Sequence, residues 1–162
     1  MWKLLAVFIA AALPISEVRG AIPLGVALGL SPAATFITAV VGNMLPVPPL
    51  LALLGFAESF LVKRLNAEGG GLLSKAASAY FKLAWSARRR VRPYVNRYGA
   101  LGLALFTAIP LPFTGAWTSS LAAHVLGMDR RVATLSIWLG VVAAALIVSS
   151  LVGLVVFVLP GF

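Results

Sequence analysis

Long apolar runs, interrupted by prolines and glycines, make up most of this 162-residue sequence and constrain its fold more than any other feature. Apolar residues account for 61% of the chain and charged residues for only 10%. A soluble domain usually carries about 25% charged residues. A chain this apolar cannot cover its surface in water, so we predict an all-α integral membrane protein that forms one membrane domain.

The lengths of the runs predict which of them cross the bilayer, because a helix needs about 20 residues to cross the hydrocarbon core. Residues 31–62 reach that length as a transmembrane helix broken by closely spaced prolines, and residues 129–160 form a second span. Residues 1–30 and 99–128 each divide into two pieces too short to span. Each is therefore predicted to be a re-entrant helical hairpin. A cleaved secretory signal is the alternative for the first run, although apolar sequence resumes directly after it.

Basic residues are concentrated in one segment of the chain. Lysine and arginine total 13 against 4 aspartates and glutamates, and nine of the 13 lie between Lys63 and Arg97. A basic cluster between apolar runs is typical of a cytoplasmic loop and argues against nucleic acid as the partner. We therefore predict a multi-pass protein of the cell membrane with residues 63–98 in the cytoplasm. The first hairpin then enters from outside, the second from the cytoplasm, and the C-terminus lies outside.

Within the basic segment, residues 72–98 are predicted to form an amphipathic helix that lies in the headgroup plane. Lys75, Lys82 and Arg89 recur every seven residues and share one face of this helix. The residues predicted to contact anionic lipid headgroups are Lys75, Lys82, Arg88, Arg89, Arg90 and Arg92. A plain topological anchor is the alternative interpretation of the same residues.

The tetrapeptide Ala-Ile-Pro-Leu occurs twice, at residues 21–24 and 108–111. Each copy is followed by a Leu-Gly pair and then by a residue suited to cap a helix, Ser31 or Asp129. Together with the orientation set by the basic residues, this order predicts an inverted repeat, in which each hairpin precedes a transmembrane helix. Inverted repeats with broken helices are typical of transporters.

Polar and charged residues near the hairpin tips and helix breaks are candidates for a substrate pathway. Glu17 and Arg19 lie between two short apolar pieces, where a charge at membrane depth is costly and usually functional. Burial favours a protonated carboxyl group and a nearby arginine favours the ionised form, so this pair is the predicted proton or ion coupling site. The residues predicted to line a substrate cavity are Pro23, Asn43, Pro46, Pro110, Pro112, Thr114, Trp117 and Thr118. Alternatively, the pair locks the hairpin and the polar groups only satisfy broken backbone.

Three stretches resemble the putative small multidrug export protein family: EVRGAIPLG at 17–25, GNMLPVP at 42–48 and IPLPFTGAWT at 109–118. The resemblance covers nearly the whole chain and implies a small membrane exporter. That family is similar, more distantly, to the DedA (VTT-domain) superfamily, which implies paired re-entrant hairpins and, for some members, carriage of undecaprenyl phosphate. Glu17 corresponds to the acidic residues of the first DedA hairpin, whereas residues 110–118 have no counterpart of the arginines at the second.

These features predict a small transporter, proton-coupled, that exports or translocates an amphiphilic or anionic solute. The alternatives are a DedA-like translocase or scramblase of polyprenyl phosphate or other lipids, and a structural or regulatory membrane subunit. The chain has no cysteine and one histidine, and it lacks phosphate-loop and triad motifs, so we expect no metal, no cofactor and no catalytic residue. A homodimer is a further expectation, because a chain this small has little room to enclose a cavity alone.

Overall fold

The computed structural model describes residues 1–67, 72–111 and 114–158 of the chain. Over these residues the secondary structure consists of eight helices without a strand, which confirms the predicted all-α class. In chain order the helices are α1 (Trp2–Ala12), α2 (Glu17–Ala27), α3 (Pro32–Met44), α4 (Val47–Ala67), α5 (Leu72–Tyr98), α6 (Ala100–Ala108), α7 (Ala116–Val125) and α8 (Arg130–Val158).

Helices α1 and α2 are short and pack against each other. The Lys3 ammonium at the start of α1 donates to the Leu28 carbonyl after the end of α2 at 2.7 Å, so the two helices are antiparallel. The chain leaves α1 at Leu13 in an extended conformation because Pro14 disfavours helical geometry at the residue before it. The turn therefore consists of residues 13–16. Glu17 and Arg19, which the sequence places between the two apolar pieces, lie in the first turn of α2 instead.

Helices α3 and α4 form the broken span that the sequence predicts. The Ser31 hydroxyl accepts a hydrogen bond from the Ala34 amide and Pro32 occupies the first turn, as expected for a helix start. The break is narrower than the predicted proline-rich stretch, because it is confined to Leu45 and Pro46. Pro48 and Pro49 lie in the first turn of α4, where a missing amide hydrogen breaks no helical bond.

Two stretches of the described chain are long and apolar enough to cross a membrane, Pro32–Phe56 and Arg130–Val156. The second begins directly after Asp129, whose carboxylate accepts hydrogen bonds from the amides of Arg131 at 2.9 Å and Val132 at 3.2 Å. This cap is the one predicted for the second span. Membrane insertion from opposite sides remains a prediction.

The ends of α2 and α7 share one local structure, whereas the inverted repeat itself stays a prediction. Gly29 and Gly127 have positive φ angles of 71° and 67°. The amide of the following residue bonds to a carbonyl five positions back, Leu30 to Gly25 and Met128 to Ala123, as in a Schellman motif.

The two Ala-Ile-Pro-Leu copies, in contrast, occupy different structural positions. Residues 21–24 lie inside α2, whereas residues 108–111 cover the end of α6 and the segment after it. The two copies of the tetrapeptide therefore do not mark equivalent positions in the two parts of the chain. A glycine that must adopt positive φ constrains the backbone, whereas a short run of apolar residues fits either position.

Close packing of small residues holds the helices together in both parts of the chain. A Cβ atom at Gly42 of α3 would lie 2.6 Å from the Phe8 carbonyl oxygen of α1. One at Gly140 of α8 would lie 2.6 Å from the Ala104 carbonyl oxygen of α6. These two glycines allow α3 to approach α1 and α8 to approach α6.

Helix α5 has the bounds predicted for the amphipathic helix. It buries Ala77, Ala84 and Val91, spaced seven residues apart, and packs against α4, α6 and α7. Its basic residues lie outside this buried stripe. The orientation of α5 relative to a headgroup layer remains a prediction.

Candidate functional site

Glu17 and Arg19 form an ion pair at the start of α2, as the sequence predicts. An Nη atom of Arg19 lies 2.9 Å from an Oε atom of Glu17, and the same guanidinium donates to the Leu111 carbonyl. The Glu17 residue is only 5% exposed. A buried carboxylate is tolerated when it is paired and hydrogen-bonded, and Arg19 supplies both interactions.

Glu17 also adopts an unusual backbone conformation. Its φ of 49° lies in the left-handed region, which non-glycine residues enter rarely and at a cost of about 1–2 kcal/mol. Such strain persists where surrounding contacts over-determine it, and it is concentrated at functional sites. The conformation is therefore consistent with a site role for Glu17 rather than a peripheral one.

The start of α7 meets the Glu17 carboxylate from the other hairpin. The Trp117 amide lies 3.5 Å from a Glu17 carboxylate oxygen, and the Trp117 indole donates to the Ala12 carbonyl at 3.1 Å. A Cβ atom at Gly115, whose φ is 142°, would overlap the Glu17 carboxylate. The free amides and dipole of a helix N-terminus stabilise negative charge, so α7 and Arg19 together hold this carboxylate.

The segment before α7 is organised by one threonine. The Thr114 hydroxyl oxygen lies 2.6 Å from the Ile109 carbonyl and 2.7 Å from the Leu111 carbonyl, and it accepts from the Leu111 amide at 3.2 Å. These bonds satisfy backbone groups that the end of α6 leaves without helical partners. Thr114 therefore satisfies broken backbone, which is the role that the alternative interpretation of the sequence gives it.

A cavity of about 610 Å³ opens beside the ion pair. Its walls come from the turn after α1, the start of α2, the start of α7, and the faces of α4 and α5. Leu50, Leu54, Leu83 and Leu121 form an apolar wall. The charged residues that line it are Glu17, Arg19 and Arg90.

The predicted cavity residues divide between this cavity and other places. Thr114, Trp117 and Thr118 line it together with the ion pair. Among the predicted residues that the structure places elsewhere, Pro23 lies on the exposed face of α2, Asn43 is buried in α3, and Pro46 and Pro110 are half-buried at helix breaks. Pro112 lies outside the described residues.

Asn43 is notable because it is 1% exposed and its Oδ1 atom has no hydrogen-bond partner among the described residues. The Thr35 hydroxyl of the same helix is in the same situation. An unsatisfied buried polar atom costs about 1–3 kcal/mol. Neither atom reaches the cavity described above.

The predicted headgroup residues of α5 do not act as one set. Arg88, Arg89 and Arg92 line a separate groove of about 420 Å³, and Lys75 and Lys82 are exposed elsewhere on the helix. Arg90 instead lines the cavity beside Glu17. The sequence contained a signal for this division, because consecutive helical residues are about 100° apart and three successive arginines cannot share one face.

The fold and the site define a helical protein with two stretches long and apolar enough to span a membrane and a partly apolar cavity at a buried ion pair. The model of the family described as "Putative small multi-drug export protein" matches residues 17–147. The match includes the ion pair, the broken span, α5 and both ends of the second hairpin, and the chain belongs to this family. No curated protein and no solved structure matches the chain. The similarity to DedA proteins stays a prediction.

Proposed function

We propose that the protein is a membrane transporter that carries an amphiphilic anion through the cavity at the Glu17–Arg19 pair. The observation that supports this function is the composition of the cavity, which has a leucine wall and a charged end. Ligand cavities of about 300–1,000 Å³ with apolar walls and a few polar groups are typical of small-molecule sites. The guanidinium groups of Arg19 and Arg90 line it, and guanidinium groups are well suited to bind an anionic group.

Glu17 supplies the proton coupling in this proposal. The ionised carboxylate holds Arg19 and lies at the N-terminus of α7, the two groups best suited to bind an anion. Protonation of Glu17 releases both for the anionic group of a substrate. Proton binding and substrate binding then favour each other, and by thermodynamic linkage the effect is reciprocal.

The proposed membrane arrangement follows from helix lengths. Helices α1 and α2 have 11 residues each, and α6 and α7 have nine and ten. At about 1.5 Å per residue they reach about 14–17 Å, roughly half of a 30 Å hydrocarbon core. Both pairs are therefore proposed as re-entrant hairpins with their tips near the midplane. The walls come from a single chain, so the proposal does not depend on the predicted homodimer.

The test is transport by protein reconstituted in liposomes at known orientation. Taurocholate is a suitable probe because its sulfonate stays ionised and prevents passive crossing. We expect uptake that responds to an imposed pH gradient, loss of that response in Glu17→Gln, and weaker uptake in Arg90→Gln. Asp129→Asn is the matched control, because it removes an exposed carboxylate outside the cavity while asparagine preserves the helix cap.

Other outcomes decide among the alternatives. An undiminished pH response in Glu17→Gln removes this residue from the mechanism. Flip of fluorescent lipids without taurocholate flux favours the lipid translocase. Absence of both fluxes, together with a stable co-purifying protein, favours the structural or regulatory subunit and contradicts the proposal.

A further inference from the structure

The exposed surface of α5 carries a groove that shares no residue with the cavity beside the Glu17–Arg19 pair. It has a volume of about 420 Å³ and is lined by Trp85, Arg88, Arg89, Arg92, Pro93 and Asn96. Within the described chain, no ion pair or hydrogen bond engages the guanidinium groups of Arg88, Arg89 and Arg92. The groove is thus a cluster of three uncompensated positive charges.

These three charges repel one another. Arg88 and Arg92 are four residues apart on the helix and Arg89 and Arg92 are three apart, spacings at which side chains are neighbours. The sequence of α5 contains no acidic residue that would offset the repulsion. Arginine does not lose its proton in proteins, so a bound anion would relieve the repulsion beyond the screening that solvent supplies. Guanidinium groups bind phosphate oxygens in a bidentate manner, which makes a phosphate group the best chemical fit.

An aromatic side chain at the groove indicates the source of that phosphate. Trp85 is 65% exposed beside the arginines, and Phe81, one turn earlier, is also exposed. Tryptophan is enriched at the boundary between headgroups and acyl chains. A neighbouring face of α5 is packed against the rest of the protein through Ala77, Ala84 and Val91. The exposed face therefore presents both an anion-binding part and an apolar part to its surroundings.

We propose that this groove binds the phosphate of an acidic phospholipid, with Trp85 inserted beside the lipid's glycerol backbone. The proposed site consists of particular residues and is not a general basic surface. It uses Arg88, Arg89 and Arg92. The other predicted headgroup residues, Lys75, Lys82 and Arg90, lie outside it. It fixes α5 against the anionic leaflet. A soluble phosphate ester would engage the arginines but would gain nothing from the exposed indole.

Native mass spectrometry of the purified full chain measures the bound lipid directly. Phosphatidylglycerol and phosphatidylcholine are titrated separately into the protein in detergent. We expect phosphatidylglycerol to bind more tightly, and the triple variant Arg88→Gln/Arg89→Gln/Arg92→Gln to bind it about tenfold or more weakly. Trp85→Ala should also weaken phosphatidylglycerol binding. Thermal unfolding of each variant in detergent verifies that it folds.

A second triple variant, Lys75→Gln/Lys82→Gln/Arg97→Gln, is the matched control because it removes the same charge from the same helix outside the groove. It should retain the preference for phosphatidylglycerol. Equal loss in both triple variants means that bulk charge attracts the lipid, and it overturns the proposed site. Displacement of the lipid by an equal concentration of glycerol 1-phosphate means that the ligand is a soluble phosphate, and it overturns the lipid assignment.

Discussion

Gly115 lies where the start of α7 packs against the ion pair of α2. Its φ of 142° and the overlap that a Cβ atom would have with Glu17 mean that only glycine fits there without rearrangement. The resulting contact places the N-terminus of α7 directly against a buried carboxylate. The absence of a side chain at Gly115 thus allows the start of α7 to contact the ion pair of α2, in addition to the bond from Arg19 to the Leu111 carbonyl.

Gly115→Ala is predicted to destabilise the protein by about 2–4 kcal/mol, because backbone strain and steric overlap add. Thermal unfolding in detergent measures the effect. Gly127→Ala is the control for a positive φ, since its φ of 67° strains an alanine less than the backbone at Gly115 does, and nothing lies within 4 Å of the added atom. Equal destabilisation of both variants would show that contact with Glu17 contributes nothing.

A double-mutant cycle on Glu17 and Arg19 is predicted to give a coupling free energy of about 1–3 kcal/mol. Either Glu17→Gln or Arg19→Gln alone leaves one charge in a poorly solvated place without its partner, whereas the double variant removes both charges. The double variant should therefore be less destabilised than the sum of the single variants. Additive free energies of unfolding would contradict a direct interaction between the two side chains.

At this scale the sequence predicts the charged pair well and the cavity poorly. A charge between apolar runs is conspicuous, so Glu17 and Arg19 are identified without a structure. Arg90 and the leucines of α4 and α5 line the cavity only because those helices pack beside α7. Nothing local distinguishes Leu50 or Leu83 from the many other leucines of the chain.

At the level of elements, helix boundaries depend on local chemistry and are mostly predictable. The Ser31 and Asp129 caps, the prolines at the break, and the glycines that end α2 and α7 each act within one turn of the chain. The sequence places Glu17 between two apolar pieces because it is charged, whereas the structure places it in the first turn of α2. A charged residue is a poor indicator of a turn when a neighbouring charge pairs with it, as Arg19 pairs with Glu17.

Packing between elements is tested by the paired glycines of α3 and α8. Gly42→Ala and Gly140→Ala are each predicted to destabilise the protein by about 1–3 kcal/mol, because the added methyl group meets a backbone carbonyl that cannot move freely. Gly153→Ala in α8 is the control, since its Cβ atom would meet nothing within 4 Å. That variant should gain up to about 1 kcal/mol from helix propensity. A similar effect at all three positions would exclude close packing as the cause.

At the scale of the whole molecule, tertiary contacts between distant parts of the chain create the site. The ion pair of α2, the N-terminus of α7 and the faces of α4 and α5 are separated by many residues in sequence, yet they border one cavity. The sequence indicates this assembly only through the order of hairpin and span in each half. In the proposed mechanism this assembly forms a pathway only if the two hairpins enter the membrane from opposite sides, so topology is the decisive test.

Cysteine accessibility on intact cells measures that topology, and the cysteine-free chain allows single labels at exposed positions. We predict that an impermeant maleimide labels Trp2→Cys and Ala33→Cys from outside, and reaches Ser78→Cys and Val132→Cys only after permeabilisation. The reason is helix length. Neither α6 nor α7 can cross about 30 Å alone, so we expect the two helices to form a hairpin that returns the chain to the cytoplasmic side. Arg130 and Arg131 then join the basic residues of α5 on one side, as the positive-inside rule requires. Labelling of positions 78 and 132 from opposite sides would mean that α6 and α7 cross as one span, and the Glu17 carboxylate would then not lie between opposed hairpin tips.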